Sequence, residues 1–273
     1  MATLLCIDTF TREPFRGNPA GVCLVDDPDA FPEARMQAIA AELLLSETAF
    51  VASHGDRYSL RWFTPTQEAL LCGHATLASA HALWTTGALD ADRAARFSTR
   101  WKGELTARRV ADSTSATVAV DFPAAPSTRV ETPDGLEVAI GSPVSAVGSN
   151  NLHHVVEVAD EETVRALSPD RALLEAVPGV EAITVTARSE DPSFDFVSRY
   201  FAPRHGIVED PATGSAHTSL GPWWAERLGR TELVGHQVSR RSGVVRVRVG
   251  EPSPDRVTIE GDLVTVWQGE LLA

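Results

Sequence analysis

The chain carries a near-repeat of itself about half its length apart. Arg61-Trp62-Phe63-Thr64-Pro65 is echoed by Arg199-Tyr200-Phe201-Ala202-Pro203, 138 positions later. Each copy runs through a short connection into a glycine that opens a helical stretch. The first is Cys72-Gly73-His74-Ala75-Thr76 and the second is Pro211-Ala212-Thr213-Gly214-Ser215-Ala216. A duplication of this kind predicts two similar halves, each presenting a helix N-terminus just after a glycine. Such ends carry unpaired N–H groups and partial positive charge, so they attract anions. Two of them turned on one cleft would make a site for a small acid.

The pattern of apolar residues fills in the halves. Leu4–Phe10, Gly21–Val25, Thr48–Ala52, Tyr58–Phe63 and Ser115–Asp121 read as strands, and Gly103 sits between two more strand-like runs. Pro32 opens a helix whose Met36, Ile39, Ala40, Leu43 and Leu44 recur at the helical period. A second helix runs from about His74 to Thr86, with alanines on several faces, which suits a helix enclosed by other structure. Phe122–Gly135 lacks periodicity and reads as a linker, dividing the chain into 1–125 and 126–273 with the last strand free to cross back. Beyond it come strands near Pro143–Val147, His153–Val158, Ala182–Ala187 and Asp195–Phe201, with a helix near Glu161–Leu167. A helix over Ser215–Leu228 follows. Strands near Val234–Ser239, Val244–Val249, Val257–Glu260 and Leu263–Gln268 close the chain. The order predicts an α+β fold, one principal helix wrapped by sheet in each half.

Composition removes several classes. A net charge of −13 argues against a general nucleic-acid or anionic-membrane binder. Three widely spaced cysteines, Cys6, Cys23 and Cys72, do not make a disulfide framework. No signal-peptide pattern and no long uninterrupted apolar run is visible, so the expectation is a soluble cytoplasmic protein. The histidines His74, His81, His153, His154, His205 and His217 lack the tight spacing of a metal motif, and no metal is expected. Neither a nucleophile elbow, a P-loop nor a dinucleotide fingerprint is present.

Three places remain for chemistry. Glu47 lies between an apolar helix end and an apolar strand. A carboxylate that is poorly solvated holds its proton to higher pH, which suits a general base; a solvated connector is the plain alternative. Cys72-Gly73-His74 stands where a loop enters a helix, so His74 could bond a substrate carboxylate or shuttle a proton, and Cys72 could be a reactive thiolate. A capping loop over a buried thiol competes with both. Asp210 and Ser215, with Thr213 and the Gly214 amide, could orient a substrate at the second helix start, against ordinary capping. Arg240 and Arg241 read as solvated turn residues rather than anion ligands.

Taken in order, these segments resemble the phenazine-biosynthesis isomerase (PhzF-like) family, a branch of the diaminopimelate-epimerase fold. The matching runs are Asp8-Thr9-Phe10, Phe15-Arg16-Gly17-Asn18-Pro19-Ala20, Ser46-Glu47-Thr48-Ala49-Phe50, the two repeated segments and the two helix starts. The resemblance implies two pseudo-symmetric α+β domains, each a curled sheet around a central helix, with the active site between them. It also implies a homodimer and no cofactor. It makes Glu47 the catalytic acid/base and puts His74, Asp210 and Ser215 in the substrate pocket, His74 and Asp210 being expected as catalytic beside Glu47, and Gly73, Thr213, Gly214 and Ser215 as substrate-binding positions. The best-characterised member isomerises trans-2,3-dihydro-3-hydroxyanthranilate by moving a proton between carbons. The expected activity is therefore cofactor-independent isomerisation of a small carboxylate. Related epimerases and racemases of the fold use two cysteines, whereas here Cys72 is matched by Pro211, which excludes a two-thiol racemase. A single-thiol epimerase using Cys72 and a non-catalytic small-acid binder stay open. Gly235–Gly243 follows the family's late Gln/Arg turn loosely, and His153-His154 has no counterpart in its pattern.

Overall fold

Leu5, Val22 and Ala49 lie on one face of neighbouring strands and Leu4, Cys23 and Phe50 on the other, and all six are buried. Strands that are apolar on both faces belong to a sheet covered on both sides. The computed structural model, which describes residues 2–26, 31–110, 116–150 and 153–272, shows what covers them. Two compact units emerge, Met1–Phe122 with Glu260–Ala273, and Pro123–Ile259.

The first unit runs β1 (Ala2–Thr9), β2 (Asn18–Val25), α1 (Glu33–Leu43), β3 (Glu47–His54), β4 (Arg57–Phe63), β5 (Glu68–Ala69), α2 (Gly73–Thr85), β6 (Ala95–Thr99), β7 (Gly103–Arg109) and β8 (Ala116–Pro123). Helix α2 is buried at every residue from Gly73 to Trp84 and touches β1, β2, β3 and β7. Its small side chains let the surrounding strands close in, as the alanine-rich sequence predicts. The opposite sheet face packs Cys23, Phe50 and Phe63 against Met36 and Ala40 of α1.

The second unit repeats this plan. It comprises β9 (Thr128–Val130), α3 (Leu136–Ile140), β10 (Ala146–Ser149), β11 (His154–Glu157), α4 (Glu161–Ala166), α5 (Arg171–Ala176), β12 (Ile183–Arg188), β13 (Phe196–Ala202), β14 (Ile207–Asp210), α6 (Gly214–Leu228), β15 (Glu232–Gln237) and β16 (Gly243–Val249). Val155, Phe196, Leu220 and Trp224 join the sheet to α6, while Val156, Ile183 and Val197 meet Leu136, Val164 and Leu174 on the other face. The ladders correspond strand for strand. β2 is parallel to β3 as β11 is to β12. β3 is antiparallel to β4 as β12 is to β13, and β4 is parallel to β6 as β13 is to β15.

The repeated sequence segment has a structural job in this plan. Arg61 donates from Nε and Nη2 to the two carboxylate oxygens of Glu68 at 2.7 and 2.6 Å, and its guanidinium lies over the Phe63 ring at 5.1 Å. Arg199 does the same to Glu209 at 2.7 and 3.0 Å, over Phe201 at 5.0 Å. Each two-pronged pair ties the central strand to the segment leading into the central helix, and fork-on-carboxylate geometry fixes direction as well as distance.

Several expectations are corrected. The last two expected strands are one, β17 (Arg256–Leu271), and its Leu263–Leu271 portion pairs antiparallel with β1. Gly261-Asp262 does not break it. The Asp262 carboxylate is buried and takes hydrogen bonds from Thr117 and Arg12, and Gly261 gives room to the Phe10 ring. Pro32 is the N-cap of α1, not its first helical residue, because its ψ of 157° is extended. The Phe122–Gly135 linker contains β9. The short elements α3, α5, β5 and β14 were not expected. The expected strand start at Ser115 lies outside the described residues, and β8 is described from Ala116. Among the described residues, no helix is long and apolar enough to cross a membrane.

Candidate functional site

In the first unit β3 begins at Glu47, one residue after Ser46, and α2 begins at Gly73 with Cys72 as its N-cap. Cys72 makes no side-chain cap, so the first turn of α2 keeps its polarity directed outward from the helix. The parallel register of β2 and β3 sets Ala20 beside Glu47, which brings Asn18, at the start of β2, to the same end of the sheet.

These elements bring Glu47 and His74 together. His74 Nε2 stands 3.4 Å from Glu47 Oε2, with side-chain exposures of 5% and 13%. On the other side of the ring, Asn18 Nδ2 is 3.3 Å from His74 Nδ1 and Cys72 Sγ is 3.4 Å from it. An amide nitrogen only donates, so Nδ1 accepts from Asn18 and the ring proton sits on Nε2. Ser46 Oγ donates to Asn18 Oδ1 at 3.4 Å, and the Thr9 hydroxyl donates to the Asn18 carbonyl at 3.0 Å, which fixes the asparagine. Burial pushes the His74 pKa down to about 3. The contact with Glu47 is therefore the approach of a neutral imidazole rather than an ion pair. His74 is not a cationic anchor for a substrate carboxylate. It is a neutral ring lying beside the Glu47 carboxyl group.

Asn18 and Ser46 were quoted in the sequence motifs but given no role. Their signal was the position of Asn18 at a strand start, two residues before the neighbour of Glu47. The same neighbourhood has the donor set of a metal site. Glu47, Cys72 and His74 each offer one ligand atom, all within 4.8 Å of one another. The other histidines of the metal alternative have separate surroundings: His81 bonds Thr265 at 3.0 Å, and His205 is half exposed beside Glu181.

The second unit groups the remaining expected residues. Asp210 ends β14, Thr213 is the N-cap of α6, and Gly214 and Ser215 form the first turn of that helix. Asp210 and Thr213 are buried, and the Thr213 hydroxyl donates to the Asp210 carboxylate. Gln237, at the end of β15, pins this loop with one buried amide. Its Oε1 accepts from the Thr213 N–H at 2.8 Å, and its Nε2 donates to the Asp210 carbonyl at 2.7 Å and to the Thr213 hydroxyl at 3.2 Å. Gln237→Leu removes these bonds and leaves a buried N–H and a buried carbonyl without them. At roughly 1–3 kcal/mol for each stranded group, the expected loss is about 2–6 kcal/mol by urea unfolding. A loss below the cost of one stranded group would show that the loop is held by other means.

Burial also sets a pH dependence. His74 and His153 are pushed to about 3, and His81 and His217 to about 4, all by desolvation first. Each therefore stays neutral in the folded chain while its unfolded counterpart takes a proton near 6.5. The unfolded state binds more protons in that window, so stability is present above it and falls as pH drops from about 6.5 toward 4. Each group contributes at most about 1.4 kcal/mol per pH unit. Thermal unfolding is expected to show a falling Tm from pH 7 to pH 5, and an unchanged Tm would contradict neutral burial of these rings.

A family model described as phenazine biosynthesis-like protein matches residues 7–269. An uncharacterized isomerase of Pseudomonas aeruginosa is 46% identical over 269 residues, 98% of each chain. The crystal structure of a phenazine biosynthesis protein of the PhzF family from Enterococcus faecalis superposes with a TM-score of 0.91 at 37% identity, covering 100% of this chain and 99% of that one. A probable proline racemase from Agrobacterium radiobacter, at 12% identity and a TM-score of 0.64, covers 99% of this chain and 93% of its own, and shows the shared diaminopimelate-epimerase-like α+β fold alone.

Proposed function

We propose that this chain, which belongs to the phenazine biosynthesis-like family, is a cofactor-independent isomerase that moves a proton between carbons of a small carboxylate. The isomerase class is supported by the family and by the isomerase names of its relatives. The observation that carries the finer reading is the Glu47 carboxyl group, largely buried and 3.4 Å from a neutral His74. Removing a proton from carbon needs a base held close to the C–H, and a base shielded from water is the stronger for it. Glu47 takes the proton from one carbon and returns it to another. His74 Nε2–H, 3.4 Å away, is proposed to close on the carboxyl group when substrate is bound. Gly73 at the start of α2 offers the substrate a helix N-terminus, where a carboxylate is stabilised. Asp210, Thr213, Gly214 and Ser215 are proposed as binding groups for the substrate's polar substituents, and the functional form as a homodimer. By resemblance, trans-2,3-dihydro-3-hydroxyanthranilate is the first substrate to try.

The rival is a thiol base. Cys72 Sγ lies 3.4 Å from His74 Nδ1, the arrangement of a Cys–His pair. Such a pair activates sulfur by putting its proton on the imidazole. An imidazole whose pKa lies at about 3 does not take that proton near neutral pH. Glu47 is therefore favoured over Cys72. Cys72→Ala, assayed with dihydrohydroxyanthranilate and a panel of small 2-amino and 2-hydroxy acids beside wild type, is expected to keep turnover within about tenfold, well short of the loss that follows removal of a general base. Loss of turnover in Cys72→Ala with retained folding would move the base to sulfur.

A further inference from the structure

The repeated topology gives each position of one unit a counterpart in the other, and the ladders fix which. Phe63 pairs with Thr48 as Phe201 pairs with Ile183, so Ala49 corresponds to Thr184 and Leu60 to Ser198. Thr48 pairs with Gly21 as Ile183 pairs with His154, so Ala20 corresponds to His153. On the central helices, Thr76 and His217 both follow the opening glycine by three residues. Both bond the carbonyl of the N-cap residue, Thr76 to Cys72 at 2.6 Å and His217 Nδ1 to Thr213 at 2.8 Å.

The first unit thus has Ala20, Ala49 and Leu60 on the sheet face turned to its central helix. The second unit has His153, Thr184 and Ser198 there, with His217 above them on α6. All four are buried, His153 at 4% exposure and the others at 0%. Since the first unit builds the same fold with apolar side chains, these polar groups are not a requirement of the fold. His153 Nε2, Thr184 Oγ1, Ser198 Oγ and His217 Nε2 have no hydrogen-bond partner among the described residues. Stranding four such atoms is costly, and native proteins rarely do it.

The four belong to one neighbourhood. The His153 ring meets Tyr200 edge-on at 5.8 Å, and Tyr200 is the cross-strand partner of Thr184 and shares its strand face with Ser198. His217 lies over Phe196 at 5.7 Å, on that same face. Gly235 makes room for the ring, since a Cβ there would come within 2.9 Å of His217 Nε2. Because Nδ1–H donates to Thr213, His217 Nε2 is a bare acceptor. Two hydroxyls and a second ring nitrogen share the sheet face turned to α6, where His153 is close enough to feel His217, and they offer the donors and acceptors that a buried water uses, normally two to four of them.

We propose that the second unit binds ordered water beneath the first turn of α6, bridging His217 Nε2 to Thr184 Oγ1 and to Ser198 or His153. The water holds His217 in the tautomer that anchors the Thr213 carbonyl, so it belongs to the support of the α6 start. The test is a high-resolution crystal structure of the full chain together with thermal unfolding of Thr184→Val. The expected structure has a water within hydrogen-bond distance of His217 Nε2 and of Thr184 Oγ1. Thr184→Val keeps the side-chain shape and removes one of the water's partners, so Tm is expected to fall by roughly 2–4 °C. Absence of such a water, or a Thr184→Val Tm at or above that of wild type, overturns the proposal, because a dry site gains stability when a stranded hydroxyl is replaced by methyl.

Discussion

Glu47→Gln is expected to lower turnover by roughly 10²–10⁴, the usual worth of a positioned general base, while leaving the fold and the affinity for small acids close to wild type. Glutamine keeps the size of the side chain and sets a neutral amide beside the neutral His74 ring, so the 3.4 Å contact is kept without a charge. What it loses is the ability to take a proton. The separation of effects is the informative part. A fall in kcat with KM preserved marks a group that acts in the transition state, whereas a rise in KM alone would mark a binding group. Near-normal kcat in this variant would remove Glu47 from the role.

Phe196→Ala is expected to destabilise the chain by about 3–5 kcal/mol, at the upper end of single core truncations. Phe196 is fully buried and stacks on Trp224 with centroids 5.8 Å apart and planes 3° from parallel, and the His217 ring of the same helix lies 5.7 Å from it. It links β13 to α6 at the point where Leu220 and Trp224 meet the sheet. Alanine leaves a ring-sized cavity between elements that regular structure holds apart, so collapse can recover little of it. Urea unfolding with unchanged m-value measures the loss, and a value near 1 kcal/mol would mean that the α6 packing rearranges freely.

How far the sequence could be read follows from the kind of signal each feature leaves. The two halves were legible because Arg61-Trp62-Phe63 and Arg199-Tyr200-Phe201 fill matching register positions on matching central strands. The reason for the arginines was not legible. Their partners, Glu68 and Glu209, stand 7 and 10 residues on, across a turn whose geometry no period describes. Helices α2 and α6 could be seen from their glycine starts and their length. Helices α3 and α5, at 5 and 6 residues, are too short to show a period. The Asp170 cap of α5, which accepts the Leu173 N–H at 3.0 Å, was its only local signature. The break expected at Gly261-Asp262 failed because a buried aspartate with its own donors ends nothing. At the site, residue types pointed to Glu47 and His74. The neutrality of His74 did not follow from its type, since it comes from burial, and neither did the Asn18 contact that sets its tautomer.

The most direct measurement is proton NMR in D₂O of dihydrohydroxyanthranilate and the acid panel with wild type, Cys72→Ala and Glu47→Gln side by side. A carbon-bound position that gains deuterium with wild type and Cys72→Ala, and keeps its proton with Glu47→Gln, is the predicted result. Deuterium entering at the wild-type rate in the Glu47→Gln sample would contradict the assignment of the proton transfer to Glu47.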